Sequence, residues 1–393
     1  MKLAVAALAI VVACGDNRKP EPDGGPFVEA PHDPAPVALS LGGPIMTAPK
    51  VVPILFAGDS DGQAQLGQFL PALAASSYWP TVVGEYGVGA LAIEPTIITT
   101  DSPPTTDDAL ATWIASQADG THAGWPVPDA NTIYTVFLPP GASLTFGTSA
   151  SCVDFAGYHN EGAALQGGRL TYALLPRCGD GGSAIDTLTS ALSHELVEAS
   201  TDPLPFSDGA WQMVDNDHFI WTIEPGGELG DLCEFAAAAH VRLVDNFVVQ
   251  RTWSNASAAA GHDPCVPLPS TPYVAAEPLL DETLTLDLTA LGDGVVMTKG
   301  ITVHGTGSKT IEVDLFSDAP AADFTVKATD GAALLGQPAE LSFSWDTITG
   351  NNGSKLHLTV TRVMDGANGG SEFVVASHVS GESYALWWAA VAN

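Results

Sequence analysis

Residues 183–202 read SAIDTLTSALSHELVEASTD. Its apolar side chains recur at steps of three or four residues, which is the period of an amphipathic helix. They are Ile185, Leu188, Leu192 and Leu196. Ser183 is suited to cap the first turn, and Pro203 cannot continue a helix because it lacks a backbone N–H. The sequence therefore predicts one helix over residues 183–202.

The end of this helix carries the pattern H-E-x-x-E, formed by His194, Glu195 and Glu198. Positions i and i+4 of a helix lie one above the other, so His194 and Glu198 would point the same way. Zinc hydrolases use the related pattern H-E-x-x-H, in which two side chains one turn apart bind the metal. The pattern predicts His194 and Glu198 as metal ligands. Glu195 is predicted as the catalytic base that takes a proton from the metal-bound water.

A third ligand has to come from elsewhere, since catalytic zinc sites use three protein ligands. The candidates are Glu228, Asp231, Asp202 and His159. A glutamate in place of the second histidine makes the donor set harder, so Ca²⁺ or another hard cation is an alternative to Zn²⁺ as the cofactor. The competing interpretation is a solvated helix end, where His194 makes only a hydrogen bond.

The charge of the chain argues against one class of partner. Among its 393 residues, 13 are Lys or Arg and 45 are Asp or Glu, so the formal net charge is −32. A field of this sign repels phosphate backbones, and we expect no nucleic-acid partner. With 46% hydrophobic residues, the chain can bury more than one core, and we expect a monomer of two or three domains.

The N-terminus predicts export. Lys2 precedes an apolar run over residues 3–12, which is too short to span a bilayer and is typical of a signal peptide. The run ends in Val11-Val12-Ala13-Cys14, which resembles the bacterial lipobox. Residues 1–14 are therefore predicted as a lipoprotein signal peptide, with a plain signal peptide as the alternative.

Cys14 is the predicted lipidation site, and through this lipid the protein would be attached to a membrane. Gly15 follows the cysteine, and by resemblance to lipoprotein sorting rules this indicates the outer membrane or the cell surface. Residues 15–38 are rich in proline and charge, which predicts an extended tether between the lipid and the globular part.

The remaining cysteines predict disulfides. Cys152, Cys178, Cys233 and Cys265 are an even number in an exported chain, and three pairings are possible in principle. We favour the pairing 152–178 and 233–265, because each loop then stays inside one segment. No two of them share a C-x-x-C spacing, which argues against a metal–thiolate site.

Residues 39–270 show an α/β pattern. Strands are predicted at residues 50–56, 92–98, 132–138, 172–175, 241–244 and 247–250, and further helices at 63–75 and 107–117. Strands interleaved with helices predict a mixed sheet with helices packed on it, and the helix over 183–202 would lie against that sheet. Residues 204–230 are expected to form an acidic loop.

Residues 278–393 have a different pattern of apolar and polar residues. Apolar and polar residues alternate over 283–288, 310–315, 339–345 and 356–361, and clusters of Gly, Asn and Asp separate these runs. Short strands at such spacing predict an all-β sandwich domain that follows the α/β domain.

Several motifs follow one another in a specific order. SHELVEASTDP at 193–203 is followed by AW at 210–211 and ELGDLCE at 228–234. Other pieces flank them: GGP at 42–44, SY at 77–78, YTVFLPPG at 134–141, GYH at 157–159 and WSN at 253–255. This succession, over about residues 40–267, resembles the exordium-like (phosphate-induced protein) family and related exported bacterial proteins with a zincin-like HExxE helix.

The resemblance implies a zincin-like α/β domain and an extracellular protein. It also implies a metal site at His194 and Glu198, with Glu228 and Asp231 close by. The plant members commonly have Asn where Asp202 stands, so Asp202 is not expected to be an essential ligand. The sandwich lies outside the resemblance.

Two functions are compatible with these features. The leading hypothesis is an exported, lipid-anchored, metal-dependent hydrolase of the peptidase type, with Glu195 as its base. The alternative is a non-catalytic cell-surface protein with a structural metal site, whose sandwich is an adhesion module for a glycan, cell-wall or protein ligand. Trp345, Trp387 and Trp388 are candidates for such binding, and packing inside the sandwich is the competing use for them.

Overall fold

The computed structural model describes residues 26–179, 184–223, 225–289, 294–334, 336–364 and 370–393. The predicted signal peptide, its lipidation site Cys14 and the predicted helix cap Ser183 lie outside these residues. The described chain combines helices with several β-sheets. None of its described helices is both long and apolar enough to cross a membrane.

Helices and strands alternate up to the end of the helix that carries the H-E-x-x-E pattern. In chain order they are β1 (Ala38–Ser40), β2 (Lys50–Phe56), α1 (Ser60–Ala75), α2 (Tyr78–Val83), β3 (Ala92–Ile93), β4 (Ile97–Thr99), α3 (Asp107–Gln117), β5 (Thr132–Phe137), β6 (Thr145–Phe146), β7 (Ser149–Ala150), β8 (Tyr158–Ala163), β9 (Arg169–Leu175) and α4 (Ala184–Thr201). The predicted helix over 183–202 is confirmed by α4.

One mixed sheet forms the centre of this region, with the strand order β3-β2-β5-β9-β8 and with β4 also paired to β2. β2 pairs in parallel with β5, and β5 pairs in parallel with β9, whereas β8 is antiparallel to β9. The predicted strand over 92–98 is two short strands instead. β3 pairs with residues before Pro53 of β2 and β4 with residues after it, and a proline has no N–H to donate to a neighbouring strand.

Helices cover both faces of this sheet. Alternate residues of β2 point to opposite faces, so each set contacts different helices. Val51 and Leu55 belong to a core shared with α1, α2 and α4. Val52, Ile54 and Phe56 belong to a second core shared with α3. A strand buried on both faces reads as a continuous apolar run, as β2 does in the sequence.

Short elements follow α4, and some of them line the cleft beside it. They are β10 (Trp211–Val214), α5 (Ile220–Ile223), α6 (Asp231–Glu234), β11 (His240–Val244), β12 (Phe247–Gln250), β13 (Thr252–Trp253), α7 (Asn255–Ala259) and β14 (Cys265–Val266). The expectation of an irregular loop over 204–230 was therefore wrong in part. β10 pairs with β1, and a partner so distant in sequence leaves no local signal.

Two disulfides join segments of this region, with the pairing that the sequence favoured. Cys152 is bonded to Cys178, and Cys233 of α6 is bonded to Cys265 of β14. The second disulfide attaches the short helix α6 to a strand, so a helix too short to be stable alone is held in place.

The C-terminal part is β-sandwich-like, as expected. Its strands are β15 (Val274–Pro278), β16 (Glu282–Leu288), β17 (Gly294–Thr302), β18 (Ser308–Ser317), β19 (Phe324–Asp330), β20 (Leu341–Trp345), β21 (Thr349–Gly350), β22 (Lys355–Arg362), β23 (Gly370–Val379) and β24 (Glu382–Ala392), with a short helix α8 (Gly331–Leu334). One sheet has the order β15-β18-β22-β20 and the other β16-β17-β24-β23-β19-β21. Apolar residues from both sheets form a common core.

The sandwich packs against the first region through an aromatic contact. Trp387 and Trp388 of β24 are only 5% and 4% exposed and belong to the core of the α/β region. The Trp387 ring lies 5.8 Å from that of Trp221, and the Trp388 ring lies 5.9 Å from that of Phe235. These two tryptophans are therefore used in packing and present no free surface to a ligand.

The described end of the predicted tether also contacts the sandwich. The backbone N–H of Ala30 donates to Oδ1 of Asn352 (2.9 Å), and that of Asp33 donates to Oε2 of Glu277 (3.1 Å). The ring of His32 stacks on Phe316 with 3.8 Å between the centroids. Residues 26–36 thus run from the sandwich to β1 in the α/β region.

Candidate metal centre

The side chains predicted for the site lie on three separate elements that meet at one cleft of about 570 Å³. α4 contributes three of them, β8 contributes one, and the turn into α6 contributes two. All six line the cleft: His159, His194, Glu195, Glu198, Glu228 and Asp231. The structure therefore brings together ligand candidates that are far apart in sequence.

α4 is buried on two sides, which explains why polar residues near its end lie inside the protein. Leu188, Leu192 and Leu196 pack into the core beneath the sheet, and another side of the helix faces β12. Glu198 is consequently only 2% exposed. Charged groups at such depth need charged or hydrogen-bonding partners.

Glu198 is the centre of the cluster. Its Oε1 accepts hydrogen bonds from the backbone N–H groups of Gly230 and Asp231, both at 3.2 Å. Its Oε2 lies 2.9 Å from Nε2 of His194 and 3.7 Å from Nδ1 of His159. Burial opposes ionisation, but the charges and hydrogen bonds of the two histidines outweigh it and lower the pKa of Glu198 to about 2.

Gln250 determines the orientation of His194. The Nε2 of Gln250 donates to the carbonyl of Gly230 (2.7 Å), which leaves its Oε1 to accept from Nδ1 of His194 (3.1 Å). Nε2 of His194 is then directed at Glu198 and, at 3.5 Å, at Oδ1 of Asp231. Burial lowers the pKa of His194, but Glu198 and Asp231 together raise it well above its ordinary value. An imidazole held through its other nitrogen in this way is typical of metal-ligating histidines.

His159 lies between the remaining carboxylates. Its Nε2 donates to the backbone carbonyl of Asp202 at 3.0 Å and lies 3.5 Å from Oε1 of Glu228. Its Nδ1 is 3.7 Å from Oε2 of Glu195 as well as from Glu198. Burial opposes protonation, but the charges of Glu228, Glu195 and Glu198 raise the pKa of His159 well above its ordinary value.

Glu195 stands beside the two histidines, on the floor of the cleft. It is 6% exposed, and a Cβ at Gly157 would lie 3.0 Å from its Oε1, so a larger residue there would displace the carboxyl group by a few tenths of an ångström. Burial raises the pKa of Glu195 above its ordinary value, although His159 and His194 act in the opposite direction. A raised pKa brings a carboxyl group closer to the range in which it can both accept and release a proton.

Three further carboxyl groups complete the cluster. Burial raises the pKa of Asp231 to about 7, with the charge of Glu198 acting in the same direction. Burial likewise raises the pKa of Asp202, and it raises that of Glu228 well above the ordinary value. Burial is the largest cause of each shift, and the charge of Glu198 adds to it in all three.

Two sets of atoms in this cluster are close enough to share a metal ion. Ligand atoms of His194, Glu198 and Asp231 all lie within 4.8 Å of one another, and so do those of His159, Glu198 and Glu228. Each set offers one imidazole nitrogen and two carboxylate oxygens, a combination that suits zinc and harder divalent cations.

Sequence reasoning missed Gln250 as a positioning residue. It stands at the end of the apolar strand β12, and no motif distinguishes it from other strand residues. Asp202 was a candidate ligand, and its Oδ1 instead accepts from the backbone N–H of Ala210 (2.7 Å). Its place beside Glu228 depends on the turn after α4, which the sequence pattern does not show.

Comparison with models of known protein families finds no match to this chain, and comparison with curated proteins finds no significant relative. The chemistry of the cleft is therefore inferred from its own residues.

Proposed function

We propose that this protein is a metal-dependent hydrolase of peptide bonds with a zincin-like site. A divalent cation, for which zinc is the leading candidate, would be held by His194, Glu198 and Asp231. The observation that supports the proposal is the convergence of three ligand atoms within 4.8 Å of one another, beside Glu195, in an open cleft. The resemblance to exordium-like proteins with an HExxE helix points to the same residues.

The donor set fits a catalytic cation. His194 is oriented by Gln250, and Glu198 is held by two backbone N–H groups, so two of the three ligands are positioned before any cation binds. A bound cation would supply Lewis acidity, which polarises a carbonyl group and makes water more acidic. The carboxylates also admit Ca²⁺ or another hard cation.

Glu195 would transfer the proton. Its carboxylate accepts a proton from the water that attacks the carbonyl carbon, and it then gives this proton to the leaving nitrogen as the C–N bond breaks. The elements of one water molecule are added across the bond, so no further reactant is needed. The neighbouring imidazoles of His159 and His194 act against the rise in the pKa of Glu195 that burial causes.

The proposal includes export and attachment to the outer membrane or cell surface through Cys14. Two disulfides support export, because such bonds persist mainly in oxidising compartments. Attachment through the lipid rests on the sequence pattern alone.

A non-catalytic cell-surface protein is the second candidate, and the depth of the site favours it. Glu198 is 2% exposed and lies where α4, β8 and α6 meet, so a cation here would also cross-link three elements. In that case metal binding would raise stability without any turnover.

Replacement of Glu195 separates these functions. We expect Glu195→Gln to retain bound metal and to lose about 100-fold or more of the peptidase rate, because the amide cannot accept the proton. Metal content measured by mass spectrometry and cleavage of fluorogenic peptides before and after chelation test this directly. The matched control is Glu234→Gln, which removes one exposed carboxylate that lines the same cleft but belongs to neither set of ligand atoms.

Stoichiometric metal with no hydrolysis of a broad peptide set would overturn the proposed hydrolase and support a structural metal site. A Glu195→Gln variant with the full rate would exclude Glu195 as the base.

A further inference from the structure

We propose that the cleft holds a second divalent cation, bound by His159, Glu198 and Glu228, and that Glu198 is shared between the two positions. The proposal rests on the proposed function, because its first position is the one formed by His194, Glu198 and Asp231. A pair of cations that share a carboxylate is a common arrangement in hydrolases that clamp both sides of the reacting group.

The geometry around Glu198 supports a shared ligand. The two sets of ligand atoms within 4.8 Å have only Glu198 in common. The backbone N–H groups of Gly230 and Asp231 hold Oε1, so Oε2 faces His194 at 2.9 Å and His159 at 3.7 Å. One carboxylate oxygen therefore lies between two imidazoles that belong to different sets.

Unpartnered oxygen atoms mark the second position independently. Asp202 is fully buried, at 0% exposure, yet no N–H or hydroxyl donor among the residues that the structure describes reaches its Oδ2, which faces the carboxyl group of Glu228. Oε1 of Glu228 is buried and lacks a hydrogen bond in the same way; its nearest ionic contact is Nε2 of His159 at 3.5 Å. The two carboxyl groups lie beside each other, and a cation bound here would satisfy both oxygens in place of a shared proton.

The balance of charge also favours two cations. Five acidic residues surround the two histidines: Glu195, Glu198, Asp202, Glu228 and Asp231. Cation binding displaces protons from its ligands, and five carboxylates with two neutral imidazoles together carry −5. One divalent cation leaves −3 and two leave −1, and a buried site is more stable when its net charge is small.

Metal stoichiometry tests the second position without any assay of activity. After dialysis against buffered zinc, we expect the wild-type protein to bind about two equivalents, and Glu228→Gln and Asp231→Asn about one each, since each variant loses a ligand of a different position. Glu234→Gln, the control, keeps about two equivalents. With Mn²⁺ as the probe, the wild-type protein should show the electron paramagnetic resonance spectrum of a spin-coupled pair, and both single-ligand variants the spectrum of isolated ions.

The manganese measurement on the wild-type protein needs no substitution, so misfolding of a variant does not affect it. Saturation at about one equivalent without spin coupling would overturn the second position. That result would leave the proposed hydrolase intact, provided peptides are still cleaved. A coupled pair of ions without hydrolysis would instead support the second position and remove the proposed function.

Discussion

At the residue scale, a single side-chain amide decides how α4 presents His194. Gln250 accepts from Nδ1 of His194 and donates to the carbonyl of Gly230. The backbone N–H of Gln250 also donates a hydrogen bond to Oγ of Ser193 at 2.9 Å, which fixes the backbone at this residue. The amide is thus held at both ends, and Nε2 of His194 remains directed at Glu198. In the proposed metal site, Gln250 would hold the ligand His194 in its orientation.

We expect Gln250→Met to weaken zinc binding by about 10–100-fold, because an apolar side chain of similar length no longer orients the imidazole. Competition with a chromogenic chelator measures this affinity. The matched control is Gln212→Met. Nε2 of Gln212 likewise donates to one backbone carbonyl, that of Pro205 at 3.0 Å, but it does not line the cleft.

Equal affinities in the two variants would show that Gln250 has no positioning role. A loss of affinity that merely follows a loss of folded protein would be visible in circular dichroism of the same samples.

At the scale of elements, the site depends on how closely α6 approaches α4. The last residue before α6 is Gly230, whose backbone N–H donates to Glu198. A Cβ at this position would lie 2.8 Å from both Oε1 of Glu198 and Nδ1 of His194. Its backbone is in the ordinary right-handed helical region, so only the lack of space, and not the backbone conformation, requires glycine here.

Gly230→Ala should therefore push α6 away from α4, with a loss of about 1–3 kcal/mol in the free energy of unfolding and weaker metal binding. Urea denaturation and zinc titration measure the two effects. The control is Gly67→Ala within α1, where a Cβ would meet nothing within 4 Å. That change should stabilise the protein by about 0.5–1 kcal/mol, since alanine favours a helix.

If Gly230→Ala binds zinc as tightly as the wild type, the close packing of α6 is not needed for the site.

At the scale of the whole molecule, one buried carboxyl group links the N-terminal segment to the sandwich. Glu277 of β15 is 4% exposed and accepts from the backbone N–H of Asp33. Burial raises its pKa to about 9, and the nearby charges of Asp33 and Asp314 act in the same direction. Nδ1 of His32 lies 3.8 Å from its Oε2.

The sign of the resulting pH effect follows from proton binding. Below pH 4.5, the ordinary pKa, both the folded and the unfolded chain hold the proton of Glu277. Its titration then contributes no pH dependence to the free energy of unfolding. Between that value and about 9, only the folded chain keeps it, so stability decreases as the pH rises through this window.

Glu277→Gln removes this titration and keeps an oxygen that can accept from Asp33. We expect it to raise the free energy of unfolding by about 1–3 kcal/mol near pH 8, and to change it little near pH 4. Urea denaturation at the two pH values measures the difference. Glu312→Gln, which removes a surface partner of Lys355, should change stability by less than about 1 kcal/mol at either pH. An effect of Glu277→Gln that is the same at both pH values would contradict the explanation.

The sequence alone determined the elements whose signal is local and periodic. The spacing of Leu188, Leu192 and Leu196 predicted α4, and alternating residues predicted sandwich strands such as β22. These patterns can be recognised in the sequence because helices and strands bury one side of a regular repeat. The H-E-x-x-E spacing placed His194 and Glu198 on one side of α4 for the same reason, and the even number of cysteines indicated two disulfides.

Only the tertiary structure decided what meets the end of α4. His159, Glu228 and Asp231 were candidate ligands, and the resemblance implied that Glu228 and Asp231 lie close to His194. Single polar residues carry no periodic pattern, however, so the sequence did not show which of them meet there or that Gln250 joins them. The pairing of β10 with β1 could not be predicted either, because it depends on a partner distant in sequence. For the same reason the sequence suggested burial of Trp387 and Trp388 but not their packing against the α/β region. A periodic pattern records which side of an element is buried, whereas the packing of distant segments determines which groups share that buried space.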